Sequence, residues 1–221
     1  MNKQNNKPYT EKQKNNQAFF AEVIQSSLNN FLAQSWKWNF FPSFGSLVQV
    51  ESADENILGI VAQIQTGSMD PMRYPFPYQK TEDELIQEQP QIFEFLKTTF
   101  NVQIVGYIES NKDKKQQMSQ KIFYMLPPKP CKIHAFVKQA DIKLIEIFFS
   151  KSDFLHLLFS YSNNAANLDE LLLSIFRQLF KLKLLTSQSL TCFCQTFSLL
   201  SGNDYRRLKL FLKRVECFKK I

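Results

Sequence analysis

The apolar residues of this chain change their spacing once, near Val137, and that change limits the fold more than any other feature. Before it, short runs rich in β-branched and aromatic residues read as strands over 20–26, 31–35, 46–51, 57–65, 102–109, 121–126 and 132–137. Turn signals separate them: Asn29-Asn30, Pro42-Ser43, Asp54-Glu55-Asn56 and the charged loop 111–115. Strands this short and this closely spaced form a small barrel or a sandwich. After Val137 the apolar positions recur every three or four residues, the helical period.

The helical part is well punctuated. Ser152-Asp153 can cap a short helix through Tyr161, and 163–167 reads as a polar linker. Leu168, Leu171, Leu172, Ile175, Leu179 and Leu182 make a helical stripe. Residues 184–203 carry no charge, but nine Ser, Thr and Gln side chains make lipid insertion unfavourable. Leu190, Phe193, Phe197 and Leu200 instead mark an amphipathic core helix. Gly202 can end it, and Asn203 or Asp204 can cap the last helix, whose stripe is Tyr205, Leu208, Leu212 and Val215. The tail is thus three or four helices of roughly 11–18 residues. One helical insert, about 81–100, interrupts the strands. Thr81-Glu82-Asp83-Glu84 is a capping box, Pro90 suits a first helical turn, and Ile92, Phe93, Phe95, Leu96 and Phe100 supply an apolar face. The expected organisation is α+β: a polar tail over 1–17, expected to be disordered, a strand domain over 18–140, and a helical domain over 141–221.

The chemistry is marked by what is missing. The five glycines, Gly45, Gly59, Gly67, Gly106 and Gly202, have neither the P-loop nor the dinucleotide-binding spacing. No nucleophile elbow and no His-Glu-x-x-His occurs. Any histidine relay would need His134 or His156, and His156 reads as an ordinary helix residue. Cys131-Lys132-Ile133-His134 can be half of a zinc site. Its other half would have to come from Cys192 and Cys194, which point apart on a helix. Cys131 and His134 are therefore expected at or near the barrel surface, and the four cysteines as free thiols. The chain is expected to be no enzyme and to need no cofactor or metal.

Charge is unevenly placed. The net +7 divides into +3 over 1–17, +7 over 181–221 and −3 between them. Arg206, Lys209 and Lys213 share one face of the last helix, with Arg207 and Arg214 beside them. Such a face can meet phosphates or an acidic protein, or simply be solvated. No aromatic platform for base stacking lies beside it. The N-terminus has no apolar core, so no signal peptide, anchor or transit peptide is expected. Twenty-two Phe against five Gly, with abundant Asn and Lys, suits an AT-rich genome such as an organelle's.

Residues 19–34 (FFAEVIQSSLNNFLAQ), the run Phe44-Gly45-Ser46-Leu47-Val48-Gln49-Val50, and Leu58-Gly59-Ile60-Val61 resemble the HAS-barrel. That domain is shared by HerA-type DNA translocases and the N-terminal collars of rotary ATP synthase subunits. Glu88-Gln89-Pro90-Gln91-Ile92-Phe93, Val105-Gly106-Tyr107, Leu126-Pro127-Pro128-Lys129-Pro130 and Ile133-His134 look like its cyanobacterial and algal-plastid version, with an echo at Asp204-Tyr205-Arg206-Arg207-Leu208. The resemblance spans about 19–137. It implies a small antiparallel barrel that contacts subunits and docks partners. It departs from the translocases in lacking their P-loop ATPase, so no catalytic residue carries over. The expectation is a non-enzymatic assembly module with a protein partner, in a plastid stroma or a bacterial cytoplasm. The alternative is a nucleic-acid-binding accessory factor using Arg206, Arg207, Lys209, Lys213 and Arg214.

Overall fold

A computed structural model describes residues 19–51, 55–70, 72, 75–109, 121–161 and 165–220. The expected tail over 1–17 and the loop over 111–115 lie outside them. Seven strands form one antiparallel sheet: β1 (Phe19–Ser26), β2 (Asn30–Ser35), β3 (Leu47–Glu51), β4 (Glu55–Ser68), β5 (Leu96–Glu109), β6 (Ile122–Phe123) and β7 (Phe136–Gln139). The order is β2-β1-β7-β3-β4-β5-β6, and β2 also pairs with β5, from Asn30 opposite Gln103 to Gln34 opposite Thr99. That pairing closes a six-stranded barrel and removes its edges. Among the described residues, seven α-helices complete an α+β protein: α1 (Glu82–Glu88), α2 (Gln91–Glu94), α3 (Ile142–Phe149), α4 (Phe154–Tyr161), α5 (Ala165–Lys181), α6 (Ser187–Leu200) and α7 (Tyr205–Glu216).

Two apolar cores explain the pattern. Phe20, Val23, Phe31, Val48, Val50, Ile57, Val61, Phe100, Val102, Ile104 and Val137 fill the barrel. Leu47, Leu58, Ile60, Val105 and Ile108, from the other side of β3, β4 and β5, form a second core with α3–α7. These three strands are thus covered on both faces, and Leu47–Val50 and Ile57–Val61 are buried without a break. In β2 buried and half-buried residues alternate.

Several boundaries differ from the sequence reading. The insert holds only α1 and the four-residue α2, and β5 begins at Leu96. Phe100 therefore lies inside the barrel opposite Ala33, not on a helix. Buried Thr98, Phe100, Val102 and Ile104 show the strand period. It was masked by the apolar cluster from Ile92 to Leu96, which also fits a helix. The expected strand over 121–126 shrinks to β6. The one over 132–137 shifts to Phe136–Gln139, because His134 takes φ 65° in a turn closed by Ala135 N–H to Lys132 O. The tail has five α-helices, two of them only eight residues long. Of the expected linker, Ala165–Asn167 begin α5.

Cys131, expected near the surface, is 5% exposed and packs in the barrel core. Burial pushes its thiol from 9.0 up to about 12. The Tyr124 hydroxyl donates to Phe148 O at 2.8 Å, and burial followed by Asp153 pushes it from 10.0 up to about 12. Both groups keep their protons in the fold at pH values where the unfolded chain has lost them. Stability is therefore expected to be full below pH 9 and to fall as pH rises from 9 towards 12. Urea titrations at pH 8 and near pH 11 should differ by about 1–3 kcal/mol for Cys131, and by less for the half-buried Tyr124, whose charge water screens. Cys131→Ala should flatten the lower part of that fall. An unchanged slope would show that the thiol is not the source.

Candidate interaction surfaces

The helices meet the barrel through β3, β4 and β5, and among the described residues no helix of the C-terminal half packs on the outer side of β2, β1 and β7. Antiparallel register sets Glu22 opposite Phe136, and Phe19 opposite Lys138. Trp36, just past β2, lies edge-on to Phe136 at 5.5 Å, and Phe136 is 5.6 Å from Phe19. The Trp36 indole N–H donates to Glu22 Oε1 at 3.1 Å, and His134 Nδ1 lies 3.2 Å from Glu22 Oε2. Lys138 lies over the Phe19 ring and pairs with Glu51. Trp36, Phe40, Phe41, Ile133 and Phe136 are each more than 40% exposed. Of these, Trp36 and Phe136 lie together with Phe19 in one partly exposed aromatic patch. Phe136 and Trp36 are a hundred residues apart, and only the β1–β7 and β1–β2 pairings bring them together. The sequence reading missed this patch.

The second surface is α7. Gly202 (φ 67°) and Asn203 (φ 60°) turn the chain out of α6, and the Asp204 carboxylate accepts from Arg207 N–H at 3.0 Å to cap α7. Phe211 and Val215 face the core, whereas Tyr205 is 72% exposed. The expected stripe of Tyr205, Leu208, Leu212 and Val215 is therefore turned partly to solvent. The five basic candidates divide into two groups. Arg207 binds Asp169 with two N–H groups, at 3.2 and 2.6 Å, and lies over the rings of Phe159 and Phe197. Arg214 pairs with Glu170 at 2.6 Å. These two tie α7 to α5. Arg206, Lys209 and Lys213 are exposed and make no ion pair with any described residue. A depression of about 730 Å³ runs along Tyr205, Leu208, Lys209, Leu212, Lys213 and Glu216. It presents two half-buried leucines between charges.

A third feature is a 370 Å³ cleft where the barrel meets the helices, lined in part by Phe44, Arg177, Arg214 and Phe218. Ser174 and Gln178 both donate to Phe44 O and fix this seam. Glu170, the carboxylate in the cleft, is occupied by Arg214.

The remaining sequence candidates lie apart. Cys131 is inside the barrel, His134 is on its surface, and His156 is exposed on α4. Cys192 Sγ lies 3.0 Å from Ser152 Oγ at a packed helix contact. Among the described residues, no three His, Cys, Asp or Glu side chains are grouped to hold a metal ion, and no helix is long and apolar enough to cross a membrane. No family model matches the chain, and a comparison with curated proteins finds no match.

Proposed function

We propose that this protein is a non-enzymatic assembly module that docks a protein partner on the uncovered wall of its barrel. The aromatic cluster of Trp36, Phe136 and Phe19, with Trp36 and Phe136 more than 40% exposed, carries this reading. One barrel wall is sealed by helices, and the opposite one keeps large rings in water. Rings of this size supply interface hot spots when a partner buries them. The closed six-stranded antiparallel barrel and the motifs Phe44-Gly45-Ser46 and Gly59-Ile60-Val61 support a HAS-type barrel working without a motor domain. Composition and the same resemblance favour a plastid stroma, with a bacterial cytoplasm as the alternative.

Affinity purification with the tagged full chain, followed by mass spectrometry, tests the reading. The wild type is expected to retain one protein in near-stoichiometric amount. The double variant Trp36→Ala/Phe136→Ala should lose it while keeping its thermal midpoint. Recovery of no other protein, or equal recovery by the variant, would count against a partner on this wall.

A second reading, nucleic-acid contact, is favoured by the three free cations Arg206, Lys209 and Lys213 on α7. It requires binding to DNA or RNA that weakens steeply with salt.

A further inference from the structure

In the insert between β4 and β5, α2 stacks Phe93 on Trp38, but α1 is as exposed as the outer face of α7, and its charge is opposite. α1 buries no residue, although it is a capped helix. It carries Glu82, Asp83, Glu84 and Glu88, against one neighbouring lysine, Lys80, which pairs with Glu88. Ile86 is 48% exposed, and on the approach to α1 Phe76 and Tyr78 stand edge-to-face, with Phe76 70% exposed. A solvated helix needs no such apolar side chains, and seven residues rarely hold a helix without packing. α7 offers Leu208 and Leu212 in a depression flanked by Lys209 and Lys213, with exposed Tyr205 at its start.

We infer that the acidic insert helix α1 of one copy docks on the basic, leucine-lined face of α7 in a second copy of this chain. The carboxylates of Glu82 and Asp83 would face Lys209 and Lys213, and Ile86 would enter the depression beside Leu208 and Leu212. Charge excludes the obvious intramolecular occupants. Residues 1–17 hold four lysines against Glu11, and residues 110–120 hold three lysines against Asp113, so both repel the α7 face. The contact uses neither Trp36 nor Phe136, so it stands independently of partner docking on the barrel wall. A contact built on one short helix is small, and association on the order of micromolar or weaker is expected. Opposite charges across it make it salt-sensitive.

Sedimentation velocity of the full chain, from about 1 to 100 μM at low salt, is the test. The wild type is expected to shift from monomer to a complex of at least two copies, and to return to monomer at high salt. Glu82→Lys/Asp83→Lys and, separately, Lys209→Glu/Lys213→Glu should each raise the apparent dissociation constant by about tenfold or more. All four positions are exposed, and circular dichroism should be unchanged. An equimolar mixture of the two variants should associate again, because each supplies the native surface that the other lacks. A wild type that stays monomeric throughout overturns the inference. So does association unaffected by either charge reversal. If Lys209→Glu/Lys213→Glu removes binding to duplex DNA or RNA while the wild type is monomeric, the face belongs to nucleic acid and the inference is wrong.

Discussion

Phe197→Ala is expected to lower stability by about 3–5 kcal/mol, the largest loss anticipated for a single truncation in the helical half. Phe197 is fully buried. Its ring lies 5.3 Å from Phe211, 5.5 Å from Phe159 and 5.7 Å from Phe193, and Phe176 closes the cluster at 4.6 Å from Phe193. Three helices, α4, α6 and α7, meet on this ring, and the Arg207 guanidinium lies 5.2 Å above it. Removing it opens a cavity that rigid neighbouring rings cannot collapse to fill. It also loosens the surface on which the Arg207–Asp169 pair rests. Domains of this size are stable by about 5–15 kcal/mol, so the variant should show a much lower urea midpoint with little change in slope. Leu199→Ala, two residues along α6 but 72% exposed, is the control and should stay within about 0.5 kcal/mol. Equal effects at the two positions would show that α6 does not pack as described.

The same cluster shows where sequence was a good guide and where it was not. Phe193 and Phe197 could be assigned to the core because α6 has no charged side chain to compete with them. Thr81 caps α1 by accepting from Glu84 N–H, as its four-residue pattern indicates, whereas the matching cap of α6, Thr186 accepting from Ser189 N–H, was not read from the sequence. Hydrogen bonds from Thr81 also hold the Glu84 carboxyl below its ordinary range. α7 is different. Two apolar stripes compete on it, and both fit the helical period. Phe211 faces inward, and Tyr205 outward, because Phe176, Phe193 and Phe197 offer rings for Phe211 to pack on, while Asp169 anchors Arg207. Neither reason lies within the helix. The basic residues divided for the same cause. Their spacing placed Arg206, Lys209 and Lys213 together, but only tertiary structure takes Arg207 and Arg214 into pairs with α5.

In the barrel, Gly59 is expected to tolerate no side chain while Val102 stays in place. Gly59 lies in β4, opposite Val48 in β3 and Ile104 in β5. Its neighbours Leu58 and Ile60 belong to the core beneath the helices, and Ile57 and Val61 belong to the barrel interior, so the alternation sends position 59 inward. A Cβ there would come within 2.3 Å of Val102 Cγ1 and 3.0 Å of Gln103 O. The first contact is with a short, branched side chain that is itself fully buried, and the second is with the backbone of the neighbouring strand. Neither can move without disturbing the β4–β5 ladder that leads to the β2–β5 closure. Gly59→Ala should therefore cost about 1–3 kcal/mol and Gly59→Val more, despite the better strand propensity of both residues. Val102→Ala alone should cost about 1–3 kcal/mol by leaving a void. The double variant Gly59→Ala/Val102→Ala is expected to be more stable than the sum of the single losses by about 0.5–3 kcal/mol, since the new methyl fills the space that the old ones vacate. Additive losses in that cycle would mean that Gly59 is required for a backbone reason, and that the clash with Val102 is not what keeps the position bare.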